Sequence, residues 1–416
     1  MENSQFFDFD DFKQKAMKEL YAGKPLMGES GIFTPLLKHF LEASLQGEMS
    51  NHLTTEKSEG KSNRRNGLSK KSVRSGFGQF DLESPRDRSG SYEPVIVPKR
   101  QTILTDQLES KIISMYGRGM SYSDIQGHLQ ELYGFNLSVG ELSSITDKVL
   151  PLLKEWQNRP LYSIYVAIWM DGMYYKVRVE GKVVTRVLYS VIGLDLHGKK
   201  NVLGIYLSES EGAKFWLSIM NDMKQRGVED VLFACVDGLK GFPEAIESAF
   251  PHTQVQLCIV HQIRYSMRLI PDKHYREFLN SLKTIYQAPN LSTAEINLQI
   301  FEEKWVKLYP QAVQTWTNNW ANMSAYFDYS PLIRKIIYTT NTIESYHRNI
   351  RKMTKTKAAF TSDNALLKLA FLAIHNMEKI WNKTAFQWKS ILSELLITFG
   401  DRIQIQKLEI SLDTVQ

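Results

Sequence analysis

Residues 162–195 read YSIYVAIWMDGMYYKVRVEGKVVTRVLYSVIGLD, and this stretch decides the fold class. It is dense in Val, Ile, Tyr and Trp, the residue types that pack well on a pleated surface, and Gly interrupts it. Turns are expected at Gly172, Gly181 and Gly198, with a further β-rich piece, NVLGIYLSES, from Asn201. Beyond it a helix is predicted over Gly212–Arg226, a strand over Asp230–Val236, a short helix around Pro243–Phe250 and a last strand over Gln254–Val260. Three antiparallel strands followed by alternating helix and strand predict an α/β domain with a mixed, five-stranded sheet.

Working outward, two apolar runs of this region end in acid. Asp171 closes YSIYVAIWM and Asp237 closes VLFACV, while Glu344 falls in the first turn of a helix-like segment, TIESYHRNIRK, whose other charges are basic. Carboxylates at the ends of neighbouring buried strands, joined by one from a facing helix, suit Mg²⁺, which takes oxygen ligands. Each acid has a plainer reading. Asp-Gly is a hairpin signal, and Asn341 with Glu344 forms a capping-box pattern. His347, Arg348, Arg351 and Lys355 follow Glu344 at helical spacing and share its face. One carboxylate on a basic stripe fits a metal ligand beside a bound phosphate backbone better than it fits a solvated surface.

The rest of the chain favours a polyanionic partner. The 416 residues are too many for one core and predict two to four domains. Lys and Arg number 51 against 45 Asp and Glu, a mild excess whose distribution says more than its sum. The segment 57–74 carries Arg64, Arg65, Lys70 and Lys71 among its basic residues against the single acid Glu59, and 334–357 is basic apart from Glu344. The only cysteines, Cys235 and Cys258, lie in apolar surroundings, which excludes a disulfide framework and fits a reducing compartment. The acidic N-terminus lacks a signal-type apolar core, and no run approaches the roughly 18 apolar residues of a membrane span. A soluble, cytoplasmic protein is expected.

Six segments follow. Residues 1–54 read as helical, with Phe33, Leu36, Leu37, Phe40, Leu41 and Leu45 forming a stripe. Residues 55–101 read as a basic connector with short strands, poorly packed without a partner. Residues 102–160 carry three helices, the first closed by Gly119, the second running from Ser121 to Gly134 and the third over Ser138–Leu153, a pattern compatible with a helix-turn-helix. The α/β core occupies 161–270, a helical insertion 271–330, and the core resumes over 331–416 with the Glu344 helix, ending in a polar tail. Cys258 and His261 form a C-x-x-H pair with no second pair at zinc-site spacing, so a buried Cys and a helix-start His, or an active-site role for His261, compete. Trp305, Trp316 and Trp320 read as insertion core, with stacking on an unpaired base as the sharper option.

Several strings together resemble one family. MDGMYYKVR, CVDGLKGFPEAI, QLCIVHQIRYS, YTTNTIESYHRNIRK and MTKTKAAFTSDNALLKL, with NRRNGLSKKSV and ESPRDRSGSYEPVIVPKR upstream, are similar to the Mutator-type transposases of bacterial insertion sequences. The resemblance implies an RNase H-like catalytic domain with an all-helical insertion, preceded by mainly helical DNA-binding segments. It implies a catalytic, metal-binding triad of Asp171, Asp237 and Glu344 holding two Mg²⁺ (or Mn²⁺) ions, with Cys258 and His261 as the family's C-x-x-H motif. Where the family most often has Leu-Asn after Ile-Glu-Ser, this chain has Tyr346-His347, a departure that bears on DNA contact.

The implied partners are double-stranded DNA, both terminal inverted repeats and target, and further copies of the chain in at least a dimer. The implied location is the bacterial nucleoid, and a circular intermediate is implied over simple excision. Arg64, Arg65, Lys70, Lys71, Arg348, Arg351, Lys352 and Lys355 are the expected DNA contacts. Two alternatives share these residues: a metal-dependent nuclease that does not join strands, and a transposase-derived DNA-binding regulator whose triad is idle.

Overall fold

The computed structural model describes residues 8–28, 30–104, 106–209, 212–238, 241–338, 341–381 and 383–403. The acidic start of the chain and the polar tail after Ile403 lie outside them, as does the Asn341 side chain of the expected capping box. Two compact units divide after Lys148.

The first unit holds α1 (Phe9–Tyr21), α2 (Thr34–Ser58), the hairpin β1 (Arg65–Ser75) and β2 (Gly78–Asp87), and then α3 (Asp106–Gly117), α4 (Tyr122–Tyr133) and α5 (Val139–Asp147). The hairpin is not the loosely packed connector expected. Val73 and Leu82 from its two strands close with Leu45 of α2 and Val97 into a small buried core, so part of the apolar stripe read on 33–45 has its partner here. Serine caps set the helix starts. Ser121 Oγ accepts from Asp124 N while Asp124 returns a bond to Ser121 N, and Ser138 and Glu141 repeat the device. Gly134, at φ +73°, ends α4 in the left-handed conformation that glycine adopts without cost. The single helix expected over Ser138–Leu153 is two, α5 and α6 (Val149–Asn158). Pro151 explains the break, since it has no N–H for the Asp147 carbonyl and its ring crowds that turn.

The second unit begins with α6. Its sheet has the order β5 (Lys200–Ser208), β4 (Lys182–Leu194), β3 (Ile164–Val179), β6 (Asp230–Val236), β7 (Gln254–Leu257). The first three strands are antiparallel, and β6 and β7 run parallel to β3, which gives the mixed five-stranded sheet expected. One expected turn is absent. β3 is 16 residues long and passes straight through Asp171-Gly172, with Gly172 paired to Tyr189. A Cβ on Gly172 would stand 2.7 Å from the Tyr189 ring and 2.8 Å from Val187 Cγ1, so glycine is there to let β4 side chains lie across the strand.

Helices cover both faces. Tyr189 of β4 meets Trp216 of α7 (Ala213–Gln225) edge-on at 4.7 Å, and Trp216 stacks at 4.2 Å on Phe242 of α8 (Phe242–Ala249). The next β4 residue, Ser190, points the other way and hydrogen-bonds Tyr346 of α15 (Asn341–Thr354) at 2.7 Å. A sheet buried on both faces has continuous apolar strands, which is why YVAIWM and VLFACV show no alternation.

After β7 come α9 (Ile259–Met267), then α10 (Tyr275–Tyr286), α11 (Leu291–Trp305), α12 (Pro310–Thr317) and α13 (Trp320–Ser324), with a core that includes the buried Phe278, Phe301, Trp305 and Trp316. Gln256 of β7 binds this insertion back to the sheet, donating to Met323 O and accepting from Tyr326 N, both at 3.0 Å. α14 (Pro331–Tyr338), α15, α16 (Asp363–Trp381) and α17 (Trp388–Ile403) complete the unit. Among the described residues no helix is long and apolar enough to cross a membrane.

Candidate active site

The parallel pairing of β3 with β6 sets Trp169 opposite Cys235. Two residues on, Asp171 and Asp237 stand at the same level of neighbouring strands. Asp171 sits within β3, paired with Ser190, and therefore on the α15 face. Asp237 is the first residue past β6, at the carboxyl edge of a parallel pair, where open α/β sheets bind ligands.

Glu344 arrives on α15, which is fixed to the sheet at both ends, to β4 at its start and to β3 at its end. At its start Tyr346, fully buried, bonds Ser190. At its end Thr354 Oγ1 lies 3.3 Å from Tyr175 Oη, and the chain returns to β3 through Phe360, whose N–H donates to Lys176 O at 2.8 Å while its carbonyl accepts from Arg178 N at 2.9 Å. Glu344 in the first turn also suits the positive end of the helix dipole.

Side chains from α9 and α15 gather around these acids. His261 Nε2 and His347 Nδ1 each lie 3.5 Å from Asp171 Oδ2, and Arg264 Nη2 donates to Glu344 Oε1 at 2.7 Å. His347 is only 6% exposed. Burial, offset in part by Asp171 and reinforced by Arg351 and His261, pushes its pKa down to about 4, so its imidazole is neutral near pH 7. It therefore does not belong to the charged stripe expected from helical spacing, while Arg348, Arg351, Lys352 and Lys355 are exposed as expected. The Tyr346-His347 departure thus turns inward, onto Ser190 and Asp171.

The C-x-x-H pair is not a chelate. Cys258 caps α9, its Sγ accepting from His261 N at 3.3 Å, while the imidazole of His261 faces Asp171. Burial, with the Cys258 thiol nearby, raises the Cys235 thiol far above its ordinary range and leaves it a packing group.

The expected triad is brought to one edge of the sheet, but its ligand atoms do not close to within 4.8 Å of one another. Glu344 is held by Arg264 instead. The donor set fits Mg²⁺ or Mn²⁺: three carboxylates from β3, the β6 end and α15, with cationic or imidazole groups placed against two of them.

Among the described residues, His52, Glu56 and Asp87 are the one group close enough to share an ion. Their oxygens already have donors. Asn63 Nδ2 reaches both carboxylates, Ser91 Oγ donates to Glu56 at 2.8 Å, and Ser89 Oγ donates to Asp87 at 2.7 Å. This is a hydrogen-bond knot that ties the hairpin base to α2.

The four expected cations of the hairpin region divide. Arg64 is exposed and Lys70 is exposed beside Asp81, whereas Arg65 donates to Gln46 and to Ser50 Oγ on α2, and Lys71 Nζ donates to Pro98 O at 2.6 Å. Lys71 and Arg65 thus hold the fold. Trp305 and Trp316 are core, donating to Ser281 and Ser266, and Trp320 is half-buried with its indole nitrogen enclosed. Sequence reading missed Arg264, whose approach to Glu344 spans 80 residues of chain.

The family model for the transposases of the Mutator family matches residues 11–384. The chain is 39% identical over 395 residues to the transposase for insertion sequence element ISRM3 of Rhizobium meliloti (strain 1021), covering 94% of this chain and 98% of that protein. It is 26% identical over 327 residues to the transposase for IS256 in transposon Tn4001 of Staphylococcus aureus, covering 77% and 83%. Among solved structures, a simian T-cell lymphotropic virus intasome aligns at 12% identity over 51% of this chain and 75% of that one, with a TM-score of 0.18, a likeness too slight to carry an argument. The extent of the family match and the identity over nearly the full length of a relative settle the matter: the chain belongs to the Mutator family of transposases.

Proposed function

We propose that this protein is the DNA transposase of an insertion sequence, cleaving the element's ends to free a 3′-hydroxyl and transferring that strand to target DNA. The observation that supports the reading is that one helix, α9, sets His261 against Asp171 and Arg264 against Glu344 and lines the cleft beside Asp237. We read the sheet domain as RNase H-like, with α10–α13 as its helical insertion. Asp171, Asp237 and Glu344 would hold two Mg²⁺ (or Mn²⁺) ions, which when bound activate the attacking oxygen and stabilise the leaving one in an in-line displacement.

The chain's own residues prepare this chemistry. The interior of β3 fixes the Asp171 backbone, and His347, being neutral, leaves the charge of Asp171 available to a cation. Arg264 pairs with Glu344 and offsets its charge. Arg348, Arg351, Lys352 and Lys355 lie on the exposed side of the Glu344 helix, where they give phosphate affinity and register but no sequence readout. Reading of the terminal inverted repeats is assigned to the first unit, with Arg64 and Lys70 of the hairpin contributing to the backbone. Two ends must be cut and joined together, so a homo-oligomer of at least two copies acts, in the cytoplasm at the nucleoid.

The test is cleavage and joining of a labelled duplex bearing the element's own end, with Mg²⁺, comparing the natural protein with Asp237→Ala. Joined product from the former and none from the latter, with DNA binding kept, is expected. Nicking without joining would leave a nuclease. Silence from both despite tight specific binding would leave a regulator.

A further inference from the structure

Two helix faces confront each other across a cleft of about 880 Å³ that opens beside Asp237 and Gly238. On α9 and its C-cap the lining residues His261, Arg264, Tyr265 and Arg268 recur at three- and four-residue spacing and form one wall. On α12 and its C-cap the lining residues Gln311, Gln314, Thr315 and Asn318 recur at the same spacing and form the other.

The floor is locked. Gln262 Nε2 donates to Thr315 O at 3.0 Å and Trp316 Nε1 donates to Ser266 Oγ at 2.9 Å, so the walls stay apart. One wall is cationic and aromatic, with Tyr265 53% exposed. The other carries the exposed amides of Gln311, Gln314 and Asn318, each able to donate and to accept. Asp237 is the only acid among the lining residues, and among the described residues Arg268 makes no ion pair.

A wall that attracts phosphates, an aromatic face and a wall that matches base edges, all leading to a catalytic carboxylate, is a site for a nucleic-acid strand. Its volume is that of a ligand pocket, about 300–1,000 Å³ in general, which admits a nucleotide or two but not a duplex. The Watson–Crick edges that amides can read are also open only in an unpaired strand.

We propose that this cleft binds unpaired DNA at the cut end, with its phosphates on the α9 arginines, a base against Tyr265 and base edges on the α12 amides. The proposal rests on the reading of Asp237 as catalytic. It makes the insertion a substrate-binding element that selects which bases flank the scissile phosphate.

Fluorescence anisotropy of the full chain tests it, with a labelled duplex carrying a short single-stranded 3′ overhang and its blunt counterpart as probes. The natural protein should bind the overhang more tightly. Tyr265→Ala should lose about fivefold or more on the overhang, the effect of one stacked base. Gln314→Ala with Asn318→Ala should weaken overhang binding by an amount that changes with the overhang's bases. All variants should keep blunt-duplex affinity and the natural melting temperature. Equal binding of both probes by the natural protein, or overhang affinity unchanged in both variants, overturns the proposal. Asp237→Ala separates the two readings: it should keep overhang preference while abolishing cleavage. If it still cleaves, the catalytic reading fails while the anisotropy continues to report on the cleft.

Discussion

Replacing Tyr346 by Phe removes one oxygen and keeps the ring, which lies 6.2 Å from the Trp381 ring. Tyr346 and Ser190 are both wholly buried, and their hydroxyls meet at 2.7 Å. After Tyr346→Phe the Ser190 hydroxyl loses that partner away from water, which costs about 1–3 kcal/mol. Ser190→Ala strands the tyrosine hydroxyl at a similar cost. Removing both hydroxyls strands neither, so the double variant should be less destabilised than the sum of the singles by about 2 kcal/mol or more. At about 2–4 °C per kcal/mol for a domain of this size, each single change lowers Tm by roughly 2–12 °C. Urea titration of the full chain, followed by tryptophan fluorescence, and thermal melting measure the four corners of the cycle. Additivity of the two single changes to within about 0.5 kcal/mol would show that this hydrogen bond does not fasten the Glu344 helix to the sheet.

Gly172→Ala drives a methyl to within 2.7 Å of the Tyr189 ring, so β4 must yield beside Asp171; a loss of about 1–3 kcal/mol and of cleavage activity is expected, and natural melting would refute it. Burial is the main cause of the raised pKa of Glu378, so the folded state holds its proton more tightly than the unfolded chain and loses stability as pH rises through that pKa. Glu378→Gln should therefore raise Tm near pH 7, with the gain vanishing at pH values where the natural carboxyl is protonated in both states; a gain that persists in acid would contradict the cause. Arg348→Ala with Arg351→Ala should lower the slope of log affinity against log salt by about 0.9 for each duplex phosphate that the variant no longer neutralises, and an unchanged slope would remove these residues from the DNA interface.

Where local chemistry decides structure, the sequence was legible. Ser121 and Ser138 start helices because a serine oxygen can take a free N–H, and Gly134 ends one because only glycine enters the left-handed region freely. The apolar runs before Asp171 and Asp237 announced buried strands, and the order of strands and helices announced a mixed sheet. Gly172 misled because Asp-Gly looks the same in a hairpin and in a strand whose neighbour needs the missing Cβ. That neighbour, Tyr189, comes from the next strand, and no window of local sequence contains the clash. His347 misled for a related reason. Helical spacing gives the direction of a side chain, but whether that direction meets water or a sheet depends on how α15 docks, and docking buried it against Asp171.

Arg264 shows what a carboxylate triad requires of the rest of the chain. Three acids drawn to one edge of a sheet repel one another and shift toward protonation unless positive charge is supplied. A metal ion can supply it, but the chain must also fold before one arrives. Arg264 meets that need at Glu344 from a helix that also carries His261 to Asp171. The pair is partly exposed, with 57% of the arginine side chain and 33% of the glutamate side chain accessible, so it adds little to stability and is readily exchanged. A strongly bound, buried partner would have protected Glu344 as well but would have had to be broken at a cost of several kcal/mol before catalysis. On the proposed reading, an exposed arginine one helical turn from His261, in a cleft that Asp237 also lines, can exchange Glu344 for a phosphate of the bound strand. Weakness at this contact is what that exchange requires.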